Sequence, residues 1–191
     1  DENKKMQLYE VIYDDSLWLI NLVENLLSVT RIEDGKMNLH LETELIEEVI
    51  NEALNHISHK KDEHRIEVKA NDEFILAKID AGLIIQVIIN IVDNAIKYTP
   101  KGSMISIETF KHKDFVEIQI ADDGAGISDK DKEKLFEMFY TVKHEVIDGR
   151  RGLGLGLALC KAIIVAHGGN IAVKDNIPHG TIFSFTLPIK E

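Results

Sequence analysis

The sequence lacks several features, and each absence excludes a class of protein. It contains one cysteine, Cys160, among 191 residues, and a lone thiol in an apolar stretch is typical of a core side chain in a reducing cytosol. No apolar run reaches the roughly 20 residues that span a bilayer, and the polar residues 1–5 do not resemble a signal peptide. Because the formal net charge is -11, the chain also lacks the basic surface that nucleic acids require. We therefore expect a soluble chain that holds any polyanionic ligand through local donors and a metal.

Two regions differ in their apolar pattern. Residues 6–30 carry two interleaved heptad stripes, which form an apolar face wide enough for a bundle of more than two helices. This helix is expected to end near Gly35, a residue that readily adopts the left-handed C-terminal conformation. We therefore predict a boundary that separates residues 1–36 from residues 37–191. The sequence begins without a methionine and inside a helical pattern, so we expect it to be part of a longer protein.

The second region alternates between helical and strand patterns. Helices are predicted over residues 46–57, from a cap at Asp80 to about Tyr98, from a capping box at Ser128 to about Met138, and over residues 157–166. Strands are predicted over residues 37–41, 65–69, 74–78, 104–110, 115–121, 170–174 and 181–187. This order predicts an α/β sandwich, in which helices cover one face of a single mixed sheet, preceded by the long bundle helix.

The first chemical motif is the segment from Asn90 to Thr99, Asn-Ile-Val-Asp-Asn-Ala-Ile-Lys-Tyr-Thr. Asn90 and Asn94 are four residues apart, so on a helix both amides lie on one face, which Lys97 shares with Asn94. Amide oxygens can coordinate a hard cation and leave room for phosphate oxygens. Solvated polar residues are the simpler interpretation, but here they would form a polar stripe beside a core.

The second motif is Asp122-Asp123-Gly124-Ala125-Gly126-Ile127. Alone it indicates only a turn, since Asp-Gly pairs are common turn formers. A carboxylate at a strand end can accept a hydrogen bond from an exocyclic amine, which would favour adenine over guanine. Asp122 is therefore a candidate adenine ligand, and Gly124 and Gly126 are expected to make space for the ring.

The third motif begins with two aromatics, Phe136 and Phe139, and ends in the glycine-rich run Gly152-Leu153-Gly154-Leu155-Gly156-Leu157. The aromatics are at least partly core residues and would anchor the following loop, residues 140–151, which we interpret as a lid. Alternate glycines before a helix expose backbone N–H groups that bind phosphate, although a flexible turn has the same composition.

In their order and spacing, these motifs resemble the N, G1, F and G2 boxes of sensor histidine kinases. That family shares the GHKL, or Bergerat, ATP-binding fold with gyrase and Hsp90. The resemblance implies ATP and Mg²⁺ as ligands, with Asn90 and Asn94 on the metal and Lys97 on a phosphate. It also implies that Asn90 and Lys97 serve catalysis, and it places around the nucleotide Asn94, Lys97, Tyr98, Asp122, Gly124, Gly126, Ile127, Phe139, Arg151, Gly152, Leu153, Gly154, Leu155, Gly156, Leu157 and Thr181.

The resemblance further implies a relay. Residues 1–36 would be the second helix of a dimerisation and phosphotransfer hairpin, and residues 37–191 would be the catalytic domain. None of the eight histidines has the context of a phosphoacceptor, so that histidine is expected outside this chain. The implied partners are a response regulator receiver domain and a second copy joined through the bundle helices. The domain would be cytoplasmic, with the membrane reached only through a missing N-terminal region.

Two alternatives remain. A gyrase- or Hsp90-type ATPase would carry a general-base glutamate four residues before the metal-binding asparagine, where this sequence has Asn90. A non-catalytic nucleotide-sensing module is the other possibility. The run around Cys160, Leu-Ala-Leu-Cys-Lys-Ala-Ile, and the following His167-Gly168-Gly169 resemble the potassium-responsive sensor kinases. His144 lies in the predicted lid. The other six histidines have no ligand-like spacing and are interpreted as surface residues: His40, His56, His59, His64, His112 and His179.

Overall fold

The chain divides into two compact units, Asp1–Met37 and Asn38–Glu191. The computed structural model describes residues 39–57, 63–69, 74–142 and 154–189, together with scattered positions between residues 4 and 23. In the first unit all described positions are helical, and apolar side chains such as Tyr9, Ile12 and Val23 are exposed. These exposed side chains are those of the predicted bundle face. The predicted helix end near Gly35 lies outside the described residues.

The described part of the second unit contains seven strands and four helices. The strands are β1 (Glu42–Leu45), β2 (Arg65–Lys69), β3 (Leu76–Ile79), β4 (Met104–Lys111), β5 (Phe115–Asp122), β6 (Ile171–Asp175) and β7 (Thr181–Pro188). The helices are α1 (Ile46–His56), α2 (Ala81–Tyr98), α3 (Asp129–Lys132) and α4 (Gly156–Ala166).

Five of the strands form a mixed sheet in the order β2-β4-β5-β7-β6, in which β2 and β4 are parallel and the other pairs are antiparallel. The register aligns Ile107, Ile120 and Phe183 across three strands, and all three are buried. Their sequence neighbours on the opposite face include Gln119 and Ser184, which are partly exposed. One face is therefore apolar, and helices cover it. The predicted α/β fold, with a mixed sheet covered on one face, is confirmed.

Helix α2 is the central helix of this layer. It buries six apolar side chains, contacts β4 and β5, and packs between α1 and α4. Among the described residues, α2 is also the one helix that is long and apolar enough to span a bilayer, although polar residues interrupt its apolar run. Its packing is that of a core helix, because its apolar side chains contact protein on several sides.

Two predicted elements were wrong in extent. Residues 39–41 are not a strand; the strand begins at Glu42 and pairs with β3 as a separate two-stranded sheet. Helix α3 ends at Lys132 instead of near Met138, and the chain continues in i→i+3 turns. These tighter turns bury Leu135 and bring Phe136 edge-on to Phe183 of β7, at a centroid distance of 6.4 Å.

Candidate functional site

The predicted motifs meet along helix α2. Its first turn is fixed by Asp80, whose carboxylate accepts a hydrogen bond from the N–H of Leu83 at 3.3 Å. The N–H of Asp80 in turn donates to Nε2 of His167, the residue that caps the end of α4, at 3.1 Å. His167 is thus a buried helix-end residue, and its hydrogen bond joins the end of α4 to the start of α2.

Asn90 lies where α2 meets the start of α4. Its Cγ and Oδ1 are 3.7 Å from the point that a Cβ on Gly156 would occupy. It also lies beside the thiol of Cys160, a weak acceptor, and its buried Nδ2 has no hydrogen-bond partner of ordinary geometry among the described residues. The structure therefore brings the first motif against the third at this point. A buried amide without a full set of partners costs stability, which is typical of a site built for a ligand.

Asn94, Lys97 and Tyr98 continue the same side of α2 toward its end. Asn94 and Lys97 are partly exposed, and the ammonium of Lys97 lies 5.1 Å from the centroid of the Tyr98 ring. Partial burial raises the pKa of the Tyr98 hydroxyl. Because Lys97 has other interactions as well, its side chain is held in place rather than free in solvent.

Asp93, between the two asparagines, was not among the predicted site residues. Its side chain is exposed to solvent, and yet desolvation raises the pKa of its carboxyl to about 6. A carboxyl that water reaches but that protein surrounds on most sides lies in a concave part of the surface. Nothing in the sequence distinguishes this aspartate from an ordinary solvated one.

Asp122 lies at the end of β5 and is buried, with 8% of its surface exposed. Its Oδ1 accepts hydrogen bonds from the N–H groups of Gly124, at 2.9 Å, and Thr181, at 3.2 Å. Burial raises the pKa of this carboxyl, and the two backbone hydrogen bonds offset part of that effect. Both hydrogen bonds go to Oδ1, so they fix the orientation of the carboxylate and leave Oδ2 available to a ligand. Such an oxygen can accept a hydrogen bond from an exocyclic amine.

The glycines beside Asp122 are required by packing. A Cβ on Gly124 would lie 2.7 Å from Cγ2 of Thr99 and 2.9 Å from Oδ1 of Asp122. Gly126 has a φ of 78°, and its Cβ would lie 3.3 Å from the carbonyl oxygen of Gly180. Packing therefore favours glycine at both positions, in addition to the predicted need for space beside an adenine ring. Ile127, also predicted, is partly exposed in the same loop.

Gly180 and Thr99 were missed as site residues. Gly180 has a φ of 114°, and a Cβ there would overlap the carbonyl oxygen of Asp122. Thr99 caps the end of α2, is buried, and presents its methyl group to Gly124. In the sequence, Gly180 ends a run of turn-forming residues, Pro178-His179-Gly180, and Thr99 is the last residue of a motif. Neither pattern indicates that both residues contact the Asp122 loop.

The glycine-rich motif is described from Gly154 onward, while the predicted ligands Arg151, Gly152 and Leu153 lie outside the described residues, as does most of the predicted lid. Gly154 has a φ of 69°, and its carbonyl accepts a hydrogen bond from the N–H of Phe139 at 3.0 Å. Phe139 itself has a φ of 62°, which is uncommon for a side chain of this size. The predicted aromatic anchor thus contacts the glycine motif directly.

Helix α4 begins at Gly156, after Leu155, and no side chain caps its first turn. The first N–H groups of an uncapped helix can donate to an anion, and the helix dipole favours negative charge there. Leu155 is buried and Leu157 partly buried, so these leucines anchor the start of the helix in the core.

The oxygen atoms of Asn90 and Asn94 could hold a metal ion only if another ligand also coordinated it. The described residues contain no group of three or more acidic, histidine or cysteine side chains that could hold a metal. Asn90 and Asn94 supply two neutral oxygens, which suit Mg²⁺ when phosphate oxygens and waters complete its coordination. A metal at this site is therefore expected to arrive with a nucleotide.

The structure settles two further interpretations. Cys160 is fully buried, and burial raises the pKa of its thiol to about 12, so it is the predicted unreactive core side chain. His64 is not a simple surface residue. It is partly buried, and its Nε2 lies 3.0 Å from Oγ1 of Thr99. The two residues are 35 positions apart, which is why local patterns could not reveal the contact.

Comparison with known proteins agrees with this geometry. The family described as histidine kinase-, DNA gyrase B- and HSP90-like ATPase matches residues 79–191. The sensor protein KdpD of Clostridium acetobutylicum is 43% identical over 188 residues, covering 98% of this chain and 21% of that protein.

Two solved structures are similar as well. The histidine kinase AdeS of Acinetobacter baumannii has a TM-score of 0.78 and 26% identity, covering 96% of this chain and 85% of that one. The histidine kinase ThkA, solved in complex with the response regulator protein TrrA, has a TM-score of 0.70 and 26% identity, covering 90% of this chain and 49% of that one. The chain spans between about a fifth and a half of the length of the curated relatives it matches.

Proposed function

Because the chain belongs to the histidine kinase-, DNA gyrase B- and HSP90-like ATPase family, we propose that it is the ATP-binding part of a sensor histidine kinase. In this proposal it donates the γ-phosphate of Mg-ATP to a histidine outside this chain. Its similarity to KdpD and to the kinases AdeS and ThkA supports a kinase over other members of the family. The similarity to KdpD also agrees with the resemblance to the potassium-responsive kinases.

The observation that carries this proposal is the position of α2 between the other two motifs. At Asn90 it meets Gly156 of the phosphate-binding motif, and at Thr99 it meets Gly124 of the adenine motif. At a rise of 1.5 Å per residue, these two contacts are about 14 Å apart along the helix. One extended nucleoside triphosphate could therefore lie along α2, with its base at Asp122 and its phosphates at the start of α4.

In this arrangement different side chains contact the base, the phosphates and the metal ion. We propose that Oδ2 of Asp122 accepts a hydrogen bond from the adenine amine, with Thr181 and Gly124 holding the carboxylate in place. Lys97 neutralises phosphate charge, and the N–H groups at Gly154 to Gly156 bind phosphate oxygens. Mg²⁺ bound by the amide oxygens of Asn90 and Asn94 would supply further neutralisation of the phosphates.

In the transfer itself the bond between the γ-phosphorus and its bridging oxygen breaks, and a bond forms from that phosphorus to a histidine nitrogen. ADP leaves with the electron pair of the broken bond. The chain's part is to orient the triphosphate and to stabilise its charge. We propose that the receiving histidine lies in the hairpin whose second helix is residues 1–36, while residues 37–191 form the catalytic domain.

The remaining partners follow from this assignment. ThkA was solved with a response regulator, which supports a receiver domain as the final acceptor here. Exposed apolar side chains on the N-terminal helix, among them Tyr13 and Ile20, support a dimer formed through the bundle helices. We propose a cytoplasmic location for this domain, in a longer protein that is anchored to the membrane by another segment.

A hydrolase of the gyrase or Hsp90 type is the main alternative within the family. It needs a carboxylate to activate water, and Asn90 stands where that glutamate would be. An amide cannot act as a general base. The chain is therefore expected to bind ATP without rapid hydrolysis.

The test uses the full-length protein and ATP labelled on its γ-phosphate. We expect label on a histidine, stable in base and lost in acid, and a strong decrease in the Asn94→Ala variant. Retained nucleotide binding without any labelled histidine would contradict the kinase assignment. Release of phosphate to water at a rate that exceeds labelling would favour the ATPase alternative.

A further inference from the structure

Two buried side-chain polar atoms in the described part of the chain lack a hydrogen-bond partner of ordinary geometry, Asn90 Nδ2 and His64 Nδ1. The first lies at the phosphate end of the proposed nucleotide path. The second belongs to a residue outside every motif, but it contacts the other end of that path through Thr99. Buried polar atoms without partners cost stability, so such atoms call for a reason other than stability.

The hydrogen bonds assign the protonation of His64. The hydroxyl of Thr99 donates to the carbonyl of Ala95 at 2.7 Å, so its oxygen must accept from His64. Nε2 of His64 therefore carries a hydrogen, and in the neutral ring Nδ1 is the buried acceptor without a partner. Only the Nε2 side of the ring makes a described hydrogen bond. His64 thus fixes the rotation of one side chain, that of Thr99.

Backbone hydrogen bonds fix the position of His64 itself. The N–H of Gly102 donates to the carbonyl of Glu63 at 2.7 Å, and the N–H of Arg65 donates to the carbonyl of Ser103 at 3.0 Å. These two bonds lie on either side of His64, and both join its segment to the turn that follows α2. The ring therefore approaches Thr99 from a fixed backbone.

Thr99 passes this constraint to the adenine motif. Its Cγ2 and the Oδ1 of Asp122 both lie within 3 Å of the position that a Cβ on Gly124 would take. The methyl group and the carboxylate therefore meet the same point of the Gly124 loop. If Thr99 rotated about its χ1 angle, the methyl group would leave this contact and Gly124 could shift away from Asp122.

We infer that His64 is a positioning residue for adenine recognition, which acts by holding the Thr99 side chain against the Asp122–Gly124 loop. This inference rests on the proposed nucleotide site. It predicts that loss of the hydrogen bond weakens recognition of the base more than it weakens binding of the phosphates. A purely structural role would instead reduce stability and leave the preference among nucleotides unchanged.

The experiment measures Kd values for Mg-ATP and Mg-GTP by calorimetry, together with melting temperatures. For His64→Ala we expect about a tenfold rise in the Kd for ATP, with little change for GTP, so that the preference for adenine decreases. His64→Gln places an amide N–H near the position of Nε2 and should restore ATP binding to within about threefold of the unmodified chain. His112→Ala is the matched control, because that ring stacks on Phe115 in the β4–β5 turn.

Thr99→Val tests the same inference without altering His64. It removes the hydroxyl and keeps a methyl group, so it should match His64→Ala, and the double variant should be no worse than either one. Additive losses, or an unchanged ATP to GTP ratio in folded variants, would overturn the inference. Failure of the unmodified chain to bind ATP would instead contradict the proposed function.

Discussion

Replacing Asp122 by asparagine tests the adenine contact most sharply. In the folded chain Oδ1 accepts hydrogen bonds from two backbone N–H groups, at Gly124 and Thr181. An asparagine must keep its oxygen at that position, because its NH₂ group would face two donors. Its nitrogen then takes the place of Oδ2 and presents a donor to the adenine amine. The variant therefore replaces an acceptor by a donor while the shape stays nearly the same.

The expected cost follows from the charge of the lost acceptor. A hydrogen bond to a charged group contributes about 1 to 3 kcal/mol, which corresponds to about a 5- to 150-fold higher Kd for ATP. Stability should be retained, because burial already favours the neutral form of this carboxyl and raises its pKa. Calorimetry with Mg-ATP gives the Kd, and urea unfolding checks the fold.

Asp123→Asn is the matched control for this measurement. The side chain of Asp123 accepts a hydrogen bond from the N–H of Met104 at 2.9 Å and so fixes the strand end. We expect a modest loss of stability and little change in ATP affinity. If Asp122→Asn folded normally and bound ATP as tightly as the unmodified chain, Asp122 would not belong to the adenine site.

Three further predictions concern Gly180, Cys160 and the pH dependence of Asp122. Gly180→Ala should destabilise the chain by about 3 kcal/mol or more in urea unfolding, because its Cβ would overlap the Asp122 carbonyl. Gly102→Ala is the control: Gly102 has a φ of 89° but nothing lies within 4 Å of its Cβ position, so the change should cost only about 1 to 2 kcal/mol. Equal losses in the two variants would show that the overlap is unimportant. Cys160 should resist an aromatic disulfide reagent in the native protein and react fully in urea, since burial raises its pKa to about 12, and fast native labelling would contradict its burial. Because the folded-state pKa of Asp122 is raised, its contribution to stability is present at low pH and is lost as the pH rises through that pKa. The unfolding free energy of the unmodified chain, relative to that of Asp122→Asn, should therefore fall with rising pH. Over the same pH range the affinity for ATP should rise in the unmodified chain but not in the variant. If both quantities changed with pH in the same way in the two chains, the raised pKa would not belong to Asp122.

The sequence predicted those parts of the fold that depend on local patterns. Helix α2 follows from its apolar period and the cap at Asp80, and the β4–β5 hairpin follows from two alternating runs. The pairing of β1 with β3 was missed because each strand has only four residues and its partner lies more than 30 positions away in the sequence. Helix α3 was predicted too long because burial of Leu135 and the contact of Phe136 with Phe183 override the helical pattern that follows Ser128.

In the candidate site, too, the residues that follow a local sequence pattern were predicted and those defined by distant contacts were not. Asp122, Asn90 and Asn94 could be selected from their types and spacing, together with the glycines. His64, Thr99 and Gly180 could not, because their roles depend on contacts across the fold rather than on a repeating pattern. The spacing of the motifs likewise does not reveal that α2 contacts both of the others. That arrangement depends on the packing of α2 against α4 and the sheet.

The central claim is that one ATP molecule binds along α2 with a metal and is not hydrolysed by this chain alone. Calorimetry of residues 1–191 with ATP, with and without Mg²⁺, combined with a phosphate-release assay on the same samples, tests it most directly. We predict one site per chain, tighter binding with Mg²⁺, and almost no phosphate release. Absence of binding would contradict the nucleotide site, and sustained release of phosphate to water would contradict its assignment to a kinase.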